Sequence, residues 1–329
     1  MATIIDIARR AGVSKTLVSR ALNGQPGVGV EARRRIEEAA RALAYRPNLL
    51  ARSLAIKTTR TIGVVLDSLC EPYYFELIRG MEEGARAAGY RLLFCSAHND
   101  GRSKASYVDF FTQGYVDGVV IYGSDLNDLC LLEALRVGGF PFVVVEQELD
   151  GTQVNNVVLD NAGGARMATE RLLRAGCRDV RHFTGDMGKA VSADRLRGYM
   201  AAMREHDLPG TIVQADFTRA SGAQAMADLL AARDVPDGIF FAADATAYGA
   251  MEVLLAHGLR IPQDIRLVGF DDDVPAGQDL RAPGLTTVRQ PLRAMGTCAL
   301  QVLVRAIQDA AHAPEQVRFQ PELLPRETC

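Results

Sequence analysis

The sequence predicts a small all-α head followed by an α/β body made of two doubly wound, parallel-sheet lobes. Two observations carry this prediction. Residues 1–60 combine apolar side chains at helical spacing with an excess of basic residues. From Thr61 onward, short apolar runs alternate with amphipathic stretches, and this alternation restarts after Asn161. A chain of 329 residues is long enough for two or three domains.

The composition excludes several classes of protein. Hydrophobic residues make up 48% of the chain and charged residues 23%, which is ordinary for a globular protein. No apolar run approaches the roughly 20 residues of a membrane span. The first residues include Asp6, Arg9 and Arg10 and contain no long apolar stretch, so no secretory signal peptide is visible. Six cysteines without a CxxC pair favour reduced thiols over disulfides or structural zinc. We therefore expect a cytoplasmic protein.

The charge is divided unevenly along the chain. Residues 1–60 hold 12 basic and four acidic side chains, whereas the remainder holds 25 basic and 36 acidic ones. A basic head on an acidic body is typical of a protein whose head binds a polyanion. The alternative is a basic, solvated surface that has no partner.

The sequence pattern of the head predicts three short helices. Thr3 caps the first helix, with Asp6 three residues later, and Gly12 supplies the turn that ends it. Ser14 caps a second helix, and the third contains Ile36, Ala39 and Leu43 on its inner face, with Arg33, Arg34, Arg35 and Arg41 outward. This is the helix-turn-helix plan.

The second helix divides into an apolar and a polar half. Its outward half consists of Lys15, Thr16, Ser19 and Arg20. Lysine and arginine bond guanine O6 and N7, and threonine contacts thymine methyl groups, so this half suits the DNA major groove. The alternatives are a three-helix cap without a DNA role, or a head that binds RNA or an acidic protein.

At this point the sequence resembles the LacI/GalR family of bacterial transcription regulators. The head motif reads ARRAGVSKTLVSRALNG from Ala8 to Gly24, and the match continues through AYRPNLLARSL and TIGVVLDS. It recurs at VLDNAGGARMATERLLRAG, DRLRGY, VGFDD and LTTVRQP, so the resemblance covers essentially the whole chain. It implies a head over 1–46, a hinge over 47–60 and a two-lobed body of the periplasmic-binding-protein type over 61–329.

The resemblance implies roles for residues of the head and hinge. It assigns base contacts to Lys15, Thr16 and Arg20. It also implies a short hinge helix that contacts DNA through Asn48, Ala51 and Leu54, with Leu54 wedged into the minor groove. The alternative for Leu54 is a linker leucine packed on the body. Two departures from the family pattern are Ala55, where a basic residue is frequent, and Gly29, which weakens a helix cap.

The body is predicted to place its strands and helices in two successive runs. The first lobe takes 61–160 and 288–316, and the second takes 161–287 and 317–329. A link is expected at Val157–Asn161, a helix at Leu292–Asp309 returns to the first lobe, and one last strand at Val317–Leu324 returns to the second. By resemblance, Tyr74–Arg86 forms part of a homodimer surface.

Ligands of such sheets bind beyond the carboxyl ends of the strands. This rule and the family motifs point to an effector site formed by Asp67, Tyr73, Tyr74, Glu146, Lys189, Ser192, Arg195, Phe217, Asp244 and Asp271. Arg195 and Asp271 suit the hydroxyls of a sugar, and Phe217 suits a flat ligand face. The alternatives are that strand-end aspartates cap helices, that Arg195 pairs with Asp194 or Asp271, and that Phe217 is core.

No catalytic constellation is visible in the sequence. The chain lacks GxSxG, HExxH, Walker and strand-linked GxGxxG motifs, and its five histidines are dispersed. We expect neither catalysis, nor a metal, nor a cofactor. A periplasmic sugar-binding protein shares the body fold, but it would carry a signal peptide and no basic head.

The sequence therefore predicts a DNA-binding transcription regulator, a repressor that reads a pseudo-palindromic operator as a homodimer. A small effector, a sugar or sugar derivative, binds between the lobes and controls operator affinity. The alternatives are a purine-like corepressor in the same architecture and a sugar-binding protein without DNA. No heptad-repeat tail is visible, which favours a dimer over a tetramer.

Overall fold

The computed structural model describes residues 2–22, 25–45, 58–98, 100–123, 129–147, 153–273, 282–309 and 311–329. The hinge residues Asn48, Ala51 and Leu54, and the neighbouring Ala55, lie outside the described residues. The chain divides into two compact units, one ending at Thr59 and one beginning at Arg60. Within the described ranges, none of the helices has the length and apolar character of a membrane span.

The first unit contains three helices: α1 Ile4–Ala11, α2 Lys15–Leu22 and α3 Val30–Ala42. Thr3 and Asp6 form the predicted reciprocal cap of α1, and Gly12 ends it at φ +62°, a conformation that glycine adopts without strain. The helices meet around a small apolar core of Ile7, Ala8, Ala11, Val18, Ala21, Ile36 and Ala39. The predicted three-helix head is therefore present, with Gly29 at the start of α3 making no side-chain cap.

The second unit alternates strands and helices throughout. Its first run comprises β1 Thr61–Leu66, α4 Tyr74–Ala87, β2 Arg91–Ser96, α5 Gly101–Thr112, β3 Gly118–Gly123, α6 Leu129–Val137, β4 Phe142–Glu146 and β5 Asn155–Leu159. Its second run comprises α7 Asn161–Arg174, β6 Val180–Phe183, α8 Ala190–Glu205, β7 Thr211–Val213, α9 Arg219–Ala231, β8 Gly238–Phe241, α10 Asp244–Ala256, β9 Arg266–Asp271 and β10 Thr286–Arg289. The chain ends with α11 Leu292–Gln308, β11 Gln316–Phe319 and β12 Glu322–Leu324.

These strands build two six-stranded sheets, one in each lobe. The first has the order β11-β5-β4-β3-β1-β2 and is parallel throughout. The second has the order β12-β10-β9-β8-β6-β7 and is parallel except for β12, which runs antiparallel to β10. The central strands are buried along their length, as expected for sheets covered by helices. The predicted pair of doubly wound lobes is confirmed.

Two details of the sequence interpretation were wrong. The expected link at Val157–Asn161 overlaps β5, because Val157, Val158 and Leu159 are apolar and pair with β11 in the first sheet, where Val157 also pairs with β4. The expected single strand at Val317–Leu324 is two strands, and β11 belongs to the first sheet instead of the second. Pro321 separates them, since proline has no N–H for a ladder. The strand that begins at Gln316 therefore extends the first lobe beyond the expected boundary.

Glycines allow α4 and α11 to pack closely in the first lobe. A Cβ on Gly80 would lie 2.0 Å from the carbonyl oxygen of Arg293, and one on Gly296 would lie 2.2 Å from that of Leu77. One face of α4 is therefore packed against α11 inside the lobe. Phe75, on the same helix, is 57% exposed.

Candidate functional site

The outward half of α2 is presented as the sequence predicts. Lys15, Thr16 and Arg20 are exposed, and Ser19 is half-buried, whereas Val18 and Ala21 face the core. The Oγ of Ser14 accepts the Leu17 backbone N–H at 3.2 Å and so caps the start of this helix. The head therefore holds a row of donors and hydroxyls on a helix whose opposite side is fixed by packing.

Several basic side chains of the head are occupied within the head itself. The Arg20 guanidinium donates to the carbonyl oxygen of Pro26 at 2.7 Å. Arg33 donates to the carbonyl oxygen of Ala21 at 3.0 Å, and Arg35 donates to that of Ala11. The last two stabilise the carboxyl ends of α2 and α1, where carbonyl groups lack helical partners. Some of the basic residues of the head therefore stabilise its own fold.

A charged cluster joins the two lobes where strand ends face each other. The Nζ of Lys189, which follows β6, lies 2.7 Å from Oδ2 of Asp67, which follows β1. The Nζ of Lys104 in α5 lies 3.6 Å from Oδ1 of the same carboxylate. Asp67 and Lys104 are buried. The sequence-predicted Asp67 and Lys189 thus meet as one ion pair across the cleft between the lobes.

Arg195 is the most heavily engaged side chain of this cleft. It is 3% exposed, and its Nε donates to Oδ1 of Asn161 at 2.9 Å. Its Nη1 donates to the carbonyl oxygen of Ala242 and lies 3.6 Å from the carboxylate of Asp271. The guanidinium carbon lies 3.8 Å from the ring centre of Phe270, a cation–π contact. The pairing of Arg195 with Asp271, which was the alternative to a ligand contact, is therefore present.

Asp271 ends a hydrogen-bonded chain that runs across the cleft. The hydroxyl of Tyr122 donates to that of Tyr73, which donates to Gln290, whose Nε2 donates to Oδ1 of Asp271 at 2.7 Å. Burial raises the pKa of Asp271 to about 7, although Arg195 and the Gln290 bond act in the opposite direction.

A cavity adjoins this hydrogen-bonded chain. Its volume is about 620 Å³, and Tyr73, Asp271 and Gln290 contribute to its wall. This volume lies within the range of small-molecule sites. The cavity therefore offers space for a small molecule beside Asp271 and Gln290, while Arg195 and Glu146 are not part of its wall.

Glu146 lies at the carboxyl end of β4 with an unused oxygen. It is 3% exposed, and its Oε1 has no hydrogen-bond partner among the described residues. Burial raises the pKa of Glu146, and the Arg195 guanidinium opposes this effect. Its backbone has φ +83°, and Asp271 has φ +120°, both unusual for residues with a side chain. Strain of this kind concentrates at binding sites.

Phe217 lies beside Arg195, but one face of its ring is covered. A Cβ on Gly185 would lie 2.0 Å from the ring, so the ring packs directly on that glycine. The ring centre is 6.0 Å from the Arg195 guanidinium carbon. Phe217 therefore borders the cleft as a half-buried wall.

Three sequence-predicted effector residues are engaged in the protein interior. The two oxygens of Asp244 accept the Thr287 hydroxyl at 2.7 Å and the Asp273 N–H at 3.0 Å. The Ser192 hydroxyl donates to the carbonyl oxygen of Asp186 at 2.6 Å. Tyr74 packs edge-on against the neighbouring tyrosines. The polar or aromatic groups of these residues therefore already have partners in the body, and Asp244 bonds Thr287 and Asp273 instead of capping a helix.

The sequence interpretation missed four residues of the cleft: Lys104, Tyr122, Asn161 and Gln290. Asn161 and Gln290 follow the carboxyl ends of β5 and β10, and they were missed because both segments were expected to be links between the lobes. Tyr122 is the penultimate residue of β3, and its polar end was a detectable signal. Lys104 lies in a helix and carries no such signal. Within the described residues, no group of three or more potential ligands could hold a metal ion.

The comparisons with known proteins agree with this architecture. Residues 3–48 match the family model described as bacterial regulatory proteins, lacI family. Residues 169–329 match the periplasmic binding protein-like domain. The ribose operon repressor of Halalkalibacterium halodurans is 34% identical over all of this chain and 97% of its own length. The HTH-type transcriptional repressor PurR of Aliivibrio salmonicida is 30% identical over all of this chain and 99% of its own.

Two solved structures extend the comparison. The lac repressor dimer bound to operator and the anti-inducer ONPF is similar with a TM-score of 0.87 and 26% identity, covering 99% of this chain and 98% of that one. The complex of the transcriptional regulator CelR with cellobiose is similar with a TM-score of 0.75 and 28% identity, covering both chains completely. The similarity thus spans the head and both lobes.

Proposed function

The chain belongs to the lacI family of bacterial regulatory proteins, and from that premise we propose how it works as a transcriptional repressor. A homodimer binds an operator with its two heads, and an effector bound between the lobes changes the affinity for that operator. The protein acts in the cytoplasm by binding and not by turnover. The observation that carries this proposal is a donor-rich recognition helix in the same chain as a cleft with unused polar atoms.

DNA recognition is assigned to the outward half of α2. Lys15 and Arg20 present cationic donors for guanine edges, and Thr16 presents a hydroxyl and a methyl group. Arg20 has to exchange its bond with the Pro26 carbonyl for a base, so its contribution is the difference between the two interactions. Asn48, Ala51 and Leu54 are proposed to read the minor groove between the half-sites.

The effector is proposed to be a sugar or sugar derivative. Arg195, Asp271 and Glu146 place a guanidinium and two carboxyl groups in one buried region, and these groups suit neighbouring hydroxyls. The cellobiose complex of CelR is consistent with this class of ligand. A planar corepressor would stack on Phe217 or on the tyrosines, but Gly185 covers one face of the Phe217 ring, and Tyr73 and Tyr74 pack edge-on against each other. The cleft therefore supports the sugar more strongly.

Effector control is proposed to act through the contacts between the lobes. The Lys189–Asp67 ion pair connects side chains of opposite lobes, and Gln290 bonds both Tyr73 of the first lobe and Asp271 of the second. A ligand that binds among these groups changes the relative free energy of two lobe arrangements. Regulation needs only a difference of a few kcal/mol in operator affinity between those arrangements.

The test of the proposed function is duplex selection followed by affinity measurement. Purified protein should enrich a palindromic duplex from a randomised pool and bind it far more tightly than a scrambled duplex. Arg20→Ala should weaken operator binding by about 1–3 kcal/mol and relax the base preference at one half-site position. Arg9→Ala, which removes an exposed guanidinium of α1, is the matched control for charge loss. Equal binding to all duplexes would refute the proposal.

A further inference from the structure

Two polar atoms deep in the cleft lack a hydrogen-bond partner in the part of the chain that the structure describes. Oε1 of Glu146 and Nδ2 of Asn161 make no hydrogen bond among the described residues, although their side chains are only 3% and 2% exposed. Buried polar groups without partners are costly, and proteins rarely retain them without a reason. Arg195 is linked to both side chains, because its Nε donates to Asn161 and its charge favours ionisation of Glu146. They therefore mark one place where a ligand can supply the absent partners.

The chemistry of the two atoms restricts that ligand. The amide Nδ2 can only donate, and a carboxylate Oε1 can only accept. A hydroxyl group both donates and accepts, so neighbouring hydroxyls can satisfy the two atoms together. A phosphate or carboxylate group carries acceptors alone and leaves Oε1 of an ionised Glu146 without a donor.

The cations of the cleft are already engaged. Lys104 and Lys189 both contact Asp67, and Arg195 contacts Asp271 while donating to Asn161 and Ala242. Glu146 makes no ion pair among the described residues. A second negative charge brought beside Glu146 would be repelled in a region that water screens poorly.

We propose that the cleft selects an uncharged, polyhydroxylated ligand, a neutral sugar or sugar alcohol, and that Glu146 rejects the anionic counterpart. This inference rests on the proposed effector role of the cleft. Glu146 and Asn161 bind neighbouring hydroxyls of the ligand. Sugar phosphates and sugar acids of the same skeleton are excluded because their charge meets the Glu146 carboxylate.

The experiment is a calorimetric titration of the full chain with matched ligand pairs: ribose and ribose 5-phosphate, glucose and glucuronate, galactose and galacturonate. For the pair whose neutral member binds, the anion should bind at least about 100-fold more weakly, since like charges about 5 Å apart in a poorly screened site repel by that order. Glu146→Gln should reduce this ratio at least tenfold. Glu133→Gln removes an exposed carboxylate of α6 and should leave the ratio unchanged.

The outcomes separate this inference from the proposed function. An anion that binds the unmodified protein as tightly as its neutral partner overturns the charge selection and leaves a sugar effector standing. A ratio that Glu146→Gln does not change overturns the role of Glu146. Binding of neither member of any pair overturns the sugar effector and this inference together, while operator binding is measured independently. The titration of the unmodified protein does not depend on whether the variant folds.

Discussion

The imidazole of His182 is buried, so the stability of the two-lobed body should fall as the solution is acidified. His182 lies in β6, where its ring stacks on Phe240 with centres 4.6 Å apart. Its Nδ1 donates to the carbonyl oxygen of Phe240 at 3.1 Å, and its Nε2 has no partner among the described residues. Burial lowers the pKa of His182 from 6.5 to about 4. The folded protein therefore holds this ring in its neutral form.

The size of the effect follows from the difference between the two pKa values. Below pH 6.5 the unfolded chain binds a proton at this ring and the folded chain does not. The free energy of unfolding therefore decreases as the pH is lowered. The loss begins near pH 6.5 and is complete near pH 4. Between pH 7 and pH 5 it amounts to about 2 kcal/mol, at about 1.4 kcal/mol for each pH unit. Above pH 7 this residue should contribute no pH dependence.

Urea denaturation at a series of pH values measures the effect, with His182→Gln as the perturbation. Glutamine keeps an amide donor for the Phe240 carbonyl oxygen and does not titrate. The variant should therefore lose about 2 kcal/mol less than the unmodified protein between pH 7 and pH 5. His257→Gln, at an exposed position after α10, is the control and should retain the original slope. Parallel pH profiles for the unmodified protein and His182→Gln would refute the reasoning.

Three further predictions concern the head, the cleft wall and the dimer. Gly29→Ser should supply the absent side-chain cap of α3 and raise the unfolding free energy of the head by a few tenths of a kcal/mol. Gly12→Ser should lower that free energy by about 1 kcal/mol, because serine is strained at φ +62°, and thermal unfolding of the two variants measures both effects. Gly185→Ala should displace the Phe217 ring packed on Gly185 and lower the unfolding free energy of the body by about 1–3 kcal/mol, as measured by urea denaturation. The control is Gly101→Ala, whose added methyl group faces open space and should change that free energy by under about 0.5 kcal/mol. Phe75→Glu should weaken dimerisation at least about tenfold in sedimentation equilibrium if α4 forms the interface, and an unchanged dimer would exclude that surface.

The fold followed from the sequence where local patterns decide the structure. Buried strands such as β3 and β4 are continuous apolar runs, and the caps of α1 are visible in Thr3, Asp6 and Gly12. The end of the chain did not follow, because membership of a sheet depends on which lobe the chain has reached. Nothing in the side chains of β11 and β12 distinguishes their sheets, and only the pairing with β5 or β10 does so.

The candidate site was partly predictable for a related reason. Strand-end residues such as Asp67, Glu146 and Asp271 are found by topology, and the structure brings them to the cleft. The pairing of Asp67 with Lys189 was not predictable, because these side chains meet only through contact between the lobes. Asp244 shows the same limit of sequence-based prediction. It follows a strand as a ligand-binding aspartate would, but its carboxylate accepts a hydrogen bond from the Thr287 hydroxyl.

The most direct test of the central claim is the thermodynamic coupling between operator and effector. Operator affinity would be measured by fluorescence anisotropy with and without a saturating neutral sugar, and sugar affinity would be measured by calorimetry with and without operator. If one protein links the two sites, each ligand changes the affinity of the other by the same factor, about fivefold or more. A protein that binds both ligands, with neither affinity changed by the other, would contradict the account.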